Sequence, residues 1–189
     1  MLVKEMSFNE KIFNDIFFTL FISNTYASIE DNIIKNLSDI KNISFEFEQN
    51  INGKIENGKC TVEYPKKIFC KYNSKNKILV SNGNSLVIKT VNSFYIYPIE
   101  KTPLNLILDK SFLLNKLKNI KGKNIKKNII DFSFTENENE ISLFFDKKSY
   151  NLIGWQTTDI YQNSNTTVLS SIDKNINLTK NLFKLPKQD

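Results

Sequence analysis

The chain has 189 residues, a formal net charge of +6, no histidine, and basic residues that are all lysine, 26 in number. That length suits one domain with a substantial core, and the missing His excludes Ser-His, Cys-His and His-metal sites outright. The lysines are scattered singly and there is no Arg to read a base edge, so nucleic acid is excluded as a partner, while the positive balance favours anionic ones such as lipid headgroups.

Residues 1–27 carry Lys4 and Lys11, a short apolar core over 16–22, and Thr25, Tyr26 and Ala27 before Ser28, which is the layout of a secretory signal peptide. Glu5, Glu10 and Asp15 are acidic where a leader is basic or neutral, so an amphipathic N-terminal helix is the competing reading. The apolar run falls short of the about 20 residues a spanning helix needs, and no Cys stands at the cleavage point to be acylated. Residues 28–189 then form a single domain. Ser28 caps a helix with Asp31 in its first turn, and Ile29, Ile33, Leu37 and Ile40 recur at helical spacing. Ile43, Phe45 and Phe47 alternate with Ser44, Glu46 and Glu48 in a first strand, and Asn52-Gly53 and Asn57-Gly58 are turn or bulge signals around the next.

Around Pro65 the alternation continues. Cys60, Val62 and Tyr64, then Ile68, Cys70 and Tyr72, share one face, and Lys59, Thr61, Glu63, Lys67 and Lys71 share the other, as in a half-buried hairpin. Cys60 and Cys70 fall nearly opposite each other. A cross-strand disulfide is geometrically open to them, two small apolar core residues explain them equally well, and the reading leans to free thiols. Ile78, Leu79, Val80 and Ser81 close at Asn82-Gly83-Asn84, Leu86, Val87 and Ile88 follow, and the hairpins make a meander. Residues 93–99, with Phe94, Tyr95, Ile96 and Tyr97, are apolar on both faces and are expected to be buried on both or to lie beneath a cover.

Thr102 reads as the cap of a helix with Pro103 first and Leu104, Ile107 and Leu108 on its apolar face. A second helical run covers 112–117, Lys121-Gly122-Lys123 breaks it, and residues 129–135, 141–146, 152–161 and 166–172 read as four more strands. Residues 182–186 form a short last element that Pro186 ends. No phosphate-binding or dinucleotide glycine pattern occurs, and Glu136, Glu138 and Glu140 sit in a polar turn as solvated charge. The sequence therefore singles out no catalytic residue, no metal ligand and no cofactor, and the chain reads as a non-enzyme.

Gly58, Pro65, the alternating Ile68, Cys70 and Tyr72, the 78–83 run, Thr102-Pro103-Leu104, and later Gly154-Trp155, Asp159 and Thr166 together resemble the periplasmic outer-membrane lipoprotein carrier family, LolA, over residues 37–186. The resemblance implies an α+β fold, an incompletely closed antiparallel β-barrel with helices covering the concave apolar face. It also implies a monomeric periplasmic carrier. Its partners would be acylated lipoproteins, an inner-membrane ABC-type release complex and an outer-membrane receptor lipoprotein. It places Leu37, Ile43, Phe45, Phe47, Ile68 and Cys70 on the lipid-binding cavity, with Tyr72, Leu79, Leu104, Ile107, Leu108 and Trp155. Asn105 departs from the family by putting an amide where an apolar group is common. Tyr64 stands where the family commonly has an Arg that latches the helical lid, so Tyr64 and Lys66 are the latch candidates left.

Three acyl chains of roughly fifteen methylenes each would gross around 36 kcal/mol at about 0.8 kcal/mol per methylene, well above the roughly 18–21 kcal/mol at which non-covalent affinity saturates. Such a carrier must therefore open at a cost that offsets part of the gain. A general lipid or glycolipid carrier, and a protein-interaction module with a filled core and no lipid-sized cavity, are the alternative readings.

Overall fold

The computed structural model describes residues 27–188 apart from 75, 121, 159, 160 and 162. The leader expected over residues 1–27 lies outside the described residues except for Ala27. Eleven strands form one antiparallel sheet: β1 (Asn42–Ile51), β2 (Lys54–Glu63), β3 (Lys67–Tyr72), β4 (Ile78–Asn82), β5 (Ser85–Lys89), β6 (Phe94–Pro98), β7 (Asn124–Lys126), β8 (Ile129–Glu136), β9 (Asn139–Asp146), β10 (Leu152–Thr158) and β11 (Ser164–Lys174). Their order is β6-β5-β4-β3-β2-β1-β11-β10-β9-β8-β7, so β6 and β7 are the edges of the sheet among the described residues and the barrel does not close. Helices α1 (Ile29–Ser38), α2 (Leu104–Leu108) and α3 (Lys110–Asn119) complete the α+β fold.

Local chemistry accounts for the elements. Ser28 and Asp31 form a reciprocal capping box on α1, whose Ile33 and Leu37 are buried. Asp109 caps α3 by accepting the Phe112 N–H at 3.0 Å. Phe45 and Phe47 face inward from β1 and Glu46 and Glu48 face water, as the alternation requires. Two glycines let the sheet curl tightly. A Cβ on Gly58 would strike the Lys71 carbonyl oxygen of the neighbouring strand, and one on Gly154 would strike that of Thr167. A register shift between Leu152 and Gly154 then lets Leu152 and Trp155, three residues apart, both join the core.

Four expectations are corrected. Cys60 and Cys70 pair directly across β2 and β3 with Cα atoms 4.0 Å apart, and they form a disulfide rather than two thiols. Alternation could place them opposite but could not report the spacing that permits the bond. Residues 94–98 are not covered. Tyr95 is 52% exposed and Ile96 59%, on opposite faces of the edge strand β6. Thr102 does not cap α2. Its hydroxyl donates to the Ile99 carbonyl at 2.8 Å and closes the single 3-10 turn at Ile99–Lys101. Residues 175–188 contain no strand. They cross the convex face, where Lys59, Thr61, Phe69 and Lys71 share a hollow with Ile176 and Leu182, Lys67 lies over the Phe183 ring, and Lys89 donates to the Lys187 carbonyl. This strap lies on the side to which Val80 and Val87 point, and both are buried although they face away from the main core.

Candidate functional site

The concave face divides in two. Over β8 and β9, the side chains of Ile130, Phe132, Ile141, Leu143 and Phe145 are fully buried in one core with Ile33 and Leu37 of α1 and Leu113 and Leu117 of α3. Over β3, β4 and β5 the cover among the described residues is the five-residue α2 with the Lys101-Thr102-Pro103 segment that leads into it, and a cavity of about 420 Å³ remains. A helix rises about 1.5 Å per residue, so α2 is about 7.5 Å long, less than two interstrand spacings of about 4.8 Å.

Leu79, Leu86 and Ile88 form its sheet floor, Pro103, Leu104 and Ile107 its helical wall, and Tyr72, Tyr97 and Trp155 its aromatic sides. Beneath it lies a pit of about 40 Å³ lined by Phe45, Phe47, Cys60, Ile68 and Cys70. The pit shares Tyr72, Leu79, Leu104 and Trp155 with the larger space. Edge-to-face packing fixes these rings, with Phe47 and Tyr72 centroids 5.0 Å apart and Phe45 and Trp155 6.4 Å apart. The disulfide is thus part of the pit wall.

Of the residues expected at a cavity, Tyr72, Leu79, Leu104, Ile107 and Trp155 line the main space, and Phe45, Phe47, Ile68 and Cys70 line the pit. Leu37, Ile43 and Leu108 are buried in the core and line neither. Gln49, Ile51 and Asn165 were missed, although Gln49 and Ile51 simply continue the inward alternation of Phe45 and Phe47.

One wall is polar. Glu56 is buried beside this space, and its carboxylate takes the Lys77 ammonium and, at 3.3 Å, that of Lys54. Burial opposes its ionisation, but the hydrogen bond and charge of Lys77, helped by Lys54, outweigh burial and hold the carboxyl below its ordinary value. Lys77 also sits 4.0 Å from the Tyr72 ring centroid. Burial, with the Glu56 charge behind it, pushes the Tyr72 phenol up to about 12.

The latch candidates part company. Lys66 reaches the helices twice, donating its backbone N–H to the Leu108 carbonyl at 3.0 Å and placing Nζ 3.6 Å from an Asp109 carboxylate oxygen. Tyr64 lies under the Lys110 ammonium, 5.9 Å from its ring centroid, and burial pushes its phenol up to about 12. Lys110 in turn donates to the Ser38 and Ile40 carbonyls and ties α3 to the end of α1. Asn105 Oδ1 is buried without a hydrogen-bond partner among the described residues, so the departure from an apolar residue leaves an unsatisfied acceptor on α2.

Among the described residues no cluster of metal-ligating side chains occurs, and no helix is long and apolar enough to cross a membrane. The family model for outer membrane lipoprotein carrier protein LolA matches residues 38–186. No curated protein matches the chain in sequence. The fold is similar to that of an uncharacterized conserved protein from Thermus thermophilus, at 11% identity, 85% of this chain, 93% of that one and a TM-score of 0.50. Two further solved structures align over most of both chains. A LolA superfamily protein from Nitrosomonas europaea matches at 6% identity, 84% and 99% coverage and a TM-score of 0.43, and LprF from Mycobacterium bovis at 13%, 80% and 94%, and 0.45.

Proposed function

Because the chain belongs to the outer membrane lipoprotein carrier protein family, LolA, we propose that it carries acylated lipoproteins through the periplasm, from an inner-membrane ABC-type release complex toward the outer membrane. The observation that carries this reading is the apolar cavity between the sheet and α2, which a filled interaction module would not contain. A methylene is about the size of a water molecule, whose share of liquid volume is roughly 30 Å³. The cavity therefore takes about fourteen methylenes, one acyl chain. At about 0.8 kcal/mol each they would gross roughly 11 kcal/mol. A second and third chain require α2 to move away from the sheet, and the contacts of Lys66 with Leu108 and Asp109 resist that movement.

The test is binding of a fluorescent fatty-acyl probe, with mass spectrometry of ligands that co-purify with the chain. The probe should bind, and Ile88→Trp, which fills the cavity from its floor, should weaken binding at least about ten-fold, a change of about 1.4 kcal/mol. Acyl species should co-purify with the unaltered protein and be depleted from the variant. Probe binding that is indifferent to Ile88→Trp in a folded protein would show that the cavity is not the acyl site.

A further inference from the structure

The two edges of the sheet are unlike each other. β7 has three residues, ends in Lys126 and is followed by Lys127, and short length with lysine is how a strand edge is kept from pairing. β6 has five residues, Phe94-Tyr95-Ile96-Tyr97-Pro98, and no charged residue occurs between Val91 and Ile99. It pairs with β5 without a bulge, and Tyr95, Ile96 and Tyr97 are all exposed. The direction of its backbone groups follows from the bonds at its two ends. Ile99 donates its N–H to the Asn84 carbonyl at 2.9 Å, and Thr90 donates to the Ser93 carbonyl at 2.8 Å. Hydrogen-bonded and non-hydrogen-bonded pairs alternate along an antiparallel ladder, so Leu86 with Tyr97 and Ile88 with Tyr95 are the bonded pairs. The N–H and C=O of Phe94 and Ile96, with the Pro98 carbonyl, therefore point away from β5. Among the described residues nothing hydrogen-bonds to this outer row.

We propose that β6 pairs with β6 of a second copy of this chain, antiparallel about a two-fold axis at Ile96, so that the two sheets join edge to edge. The strand is its own complement. About that axis all five residues overlap, each Ile96 N–H donates to the partner's Ile96 carbonyl, and each Phe94 N–H donates to the partner's Pro98 carbonyl. Every outward donor of the strand is then used, and Pro98 has none to leave unpaired. Tyr95 and Tyr97 stack on the concave face with centroids 6.4 Å apart and planes 17° apart. Pairing sets Tyr95 beside the partner's Tyr97 and Tyr97 beside the partner's Tyr95, which extends the stack to four rings, and on the convex face it sets Ile96 beside the partner's Ile96. Apolar residues on both faces of β6 gain a neighbour by this one contact. The order of the strand, a tyrosine on either side of an aliphatic centre, reads alike from both ends, and an isologous two-fold interface needs that self-complementarity. The dimer replaces the monomer that the family resemblance implies, and it stands independently of the carrier reading.

The experiment is sedimentation equilibrium of the full chain at concentrations up to on the order of 500 μM, since five strand residues a side is well under the about 20–30 of a standard interface and the dimer should be weak and reversible. Mass should rise with concentration from monomer to dimer. Ile96→Lys and Ile96→Glu, at a side chain 59% exposed, each set like charges against one another at the axis and should each raise the dissociation constant at least about ten-fold. Mixing the two variants should restore association as a heterodimer. Ile96→Pro removes only an outward N–H, which an edge strand tolerates, and should also weaken the dimer at least about ten-fold. Ile125→Lys on β7 should leave it unchanged. Ile96 does not line the cavity, so acyl-probe binding by its variants reports the carrier reading separately. A monomer mass at every concentration, or a dimer indifferent to both charged variants, overturns the proposal. So does a mixture of the two that stays monomeric, because the copies would then not meet at Ile96.

Discussion

Across β8 and β9 the concave face is filled by two ten-residue helices, whereas around β3, β4 and β5 an apolar face meets a helix half as long and keeps a cavity. Both halves follow the same strand alternation, and Phe132 inside one is no more apolar than Phe47 inside the other. What differs is the length of helix laid over them, together with the polar wall of Glu56, Lys77, Gln49 and Tyr72 that stands only in the second half. Core and cavity are therefore one design with two covers. Stability should concentrate in the first half and ligand affinity in the second.

The largest effect should come from breaking that division at its filled side. Phe132→Ala removes a fully buried ring that packs edge-on against Phe145, and should lower stability by about 3–5 kcal/mol in denaturant titration, with acyl-probe affinity unchanged in the protein that remains folded. Leu104→Ala on the open side should do the reverse, costing little stability because Leu104 is only partly buried, and weakening the probe. Comparable stability losses from the two would mean that the cavity wall is core like the rest.

The second effect sharpens the comparison through the polar wall. Glu56→Gln leaves the Lys77 ammonium without its carboxylate in a largely buried position, and should cost about 2 kcal/mol at neutral pH, below the range for a fully enclosed pair because Lys77 keeps some water. The Glu56 pKa is lower in the folded protein than its ordinary value of 4.5, so the stability it contributes is present above about 4.5 and is lost as pH falls through the folded value. Chemical denaturation from pH 7 down to 3 should show a steeper decline in the unaltered protein than in the variant. Parallel curves would remove Glu56 from the account.

The face that each strand presents was legible in the sequence. Phe45, Phe47, Ile68, Cys70 and Tyr72 were placed on one face by period and Leu79 by the family resemblance, and all lie in the cavity or its pit. What period cannot carry is the extent of the cover. Leu37, Ile43 and Leu108 share the inward side and disappear into core because α1, α3 and the chain around them close over that part. The same blindness misplaced β6. A run that is apolar on both faces reads as doubly covered, but Tyr95 and Ile96 stay exposed, because alternation reports which way a side chain points and not what lies over it. Gln49 was within reach of the alternation and was passed over because it is polar.

The smallest effect concerns the hold on α2. Lys66 contributes a backbone hydrogen bond to Leu108, which any residue but proline keeps, and a half-exposed ion pair to Asp109, which only the side chain supplies. Lys66→Ala therefore removes the ion pair alone. Exposed pairs contribute about 0–1 kcal/mol, so the balance between closed and open cover should shift by no more than about five-fold toward open. Asp109→Ala should do more, because it loses the same ion pair and also the cap that accepts the Phe112 N–H, worth about 1 kcal/mol to α3. Hydrogen exchange at the amides of α2 would rank them, with Asp109→Ala fastest, Lys66→Ala intermediate and the unaltered protein slowest. Combining the two changes should add nothing to Asp109→Ala, since the ion pair is already gone. If Lys66→Ala matches the unaltered protein while Asp109→Ala still exchanges faster, the cap holds the helix cover and the lysine side chain does not. In that case the function of the missing arginine passes to the backbone of the β2–β3 turn, where no side-chain comparison would find it.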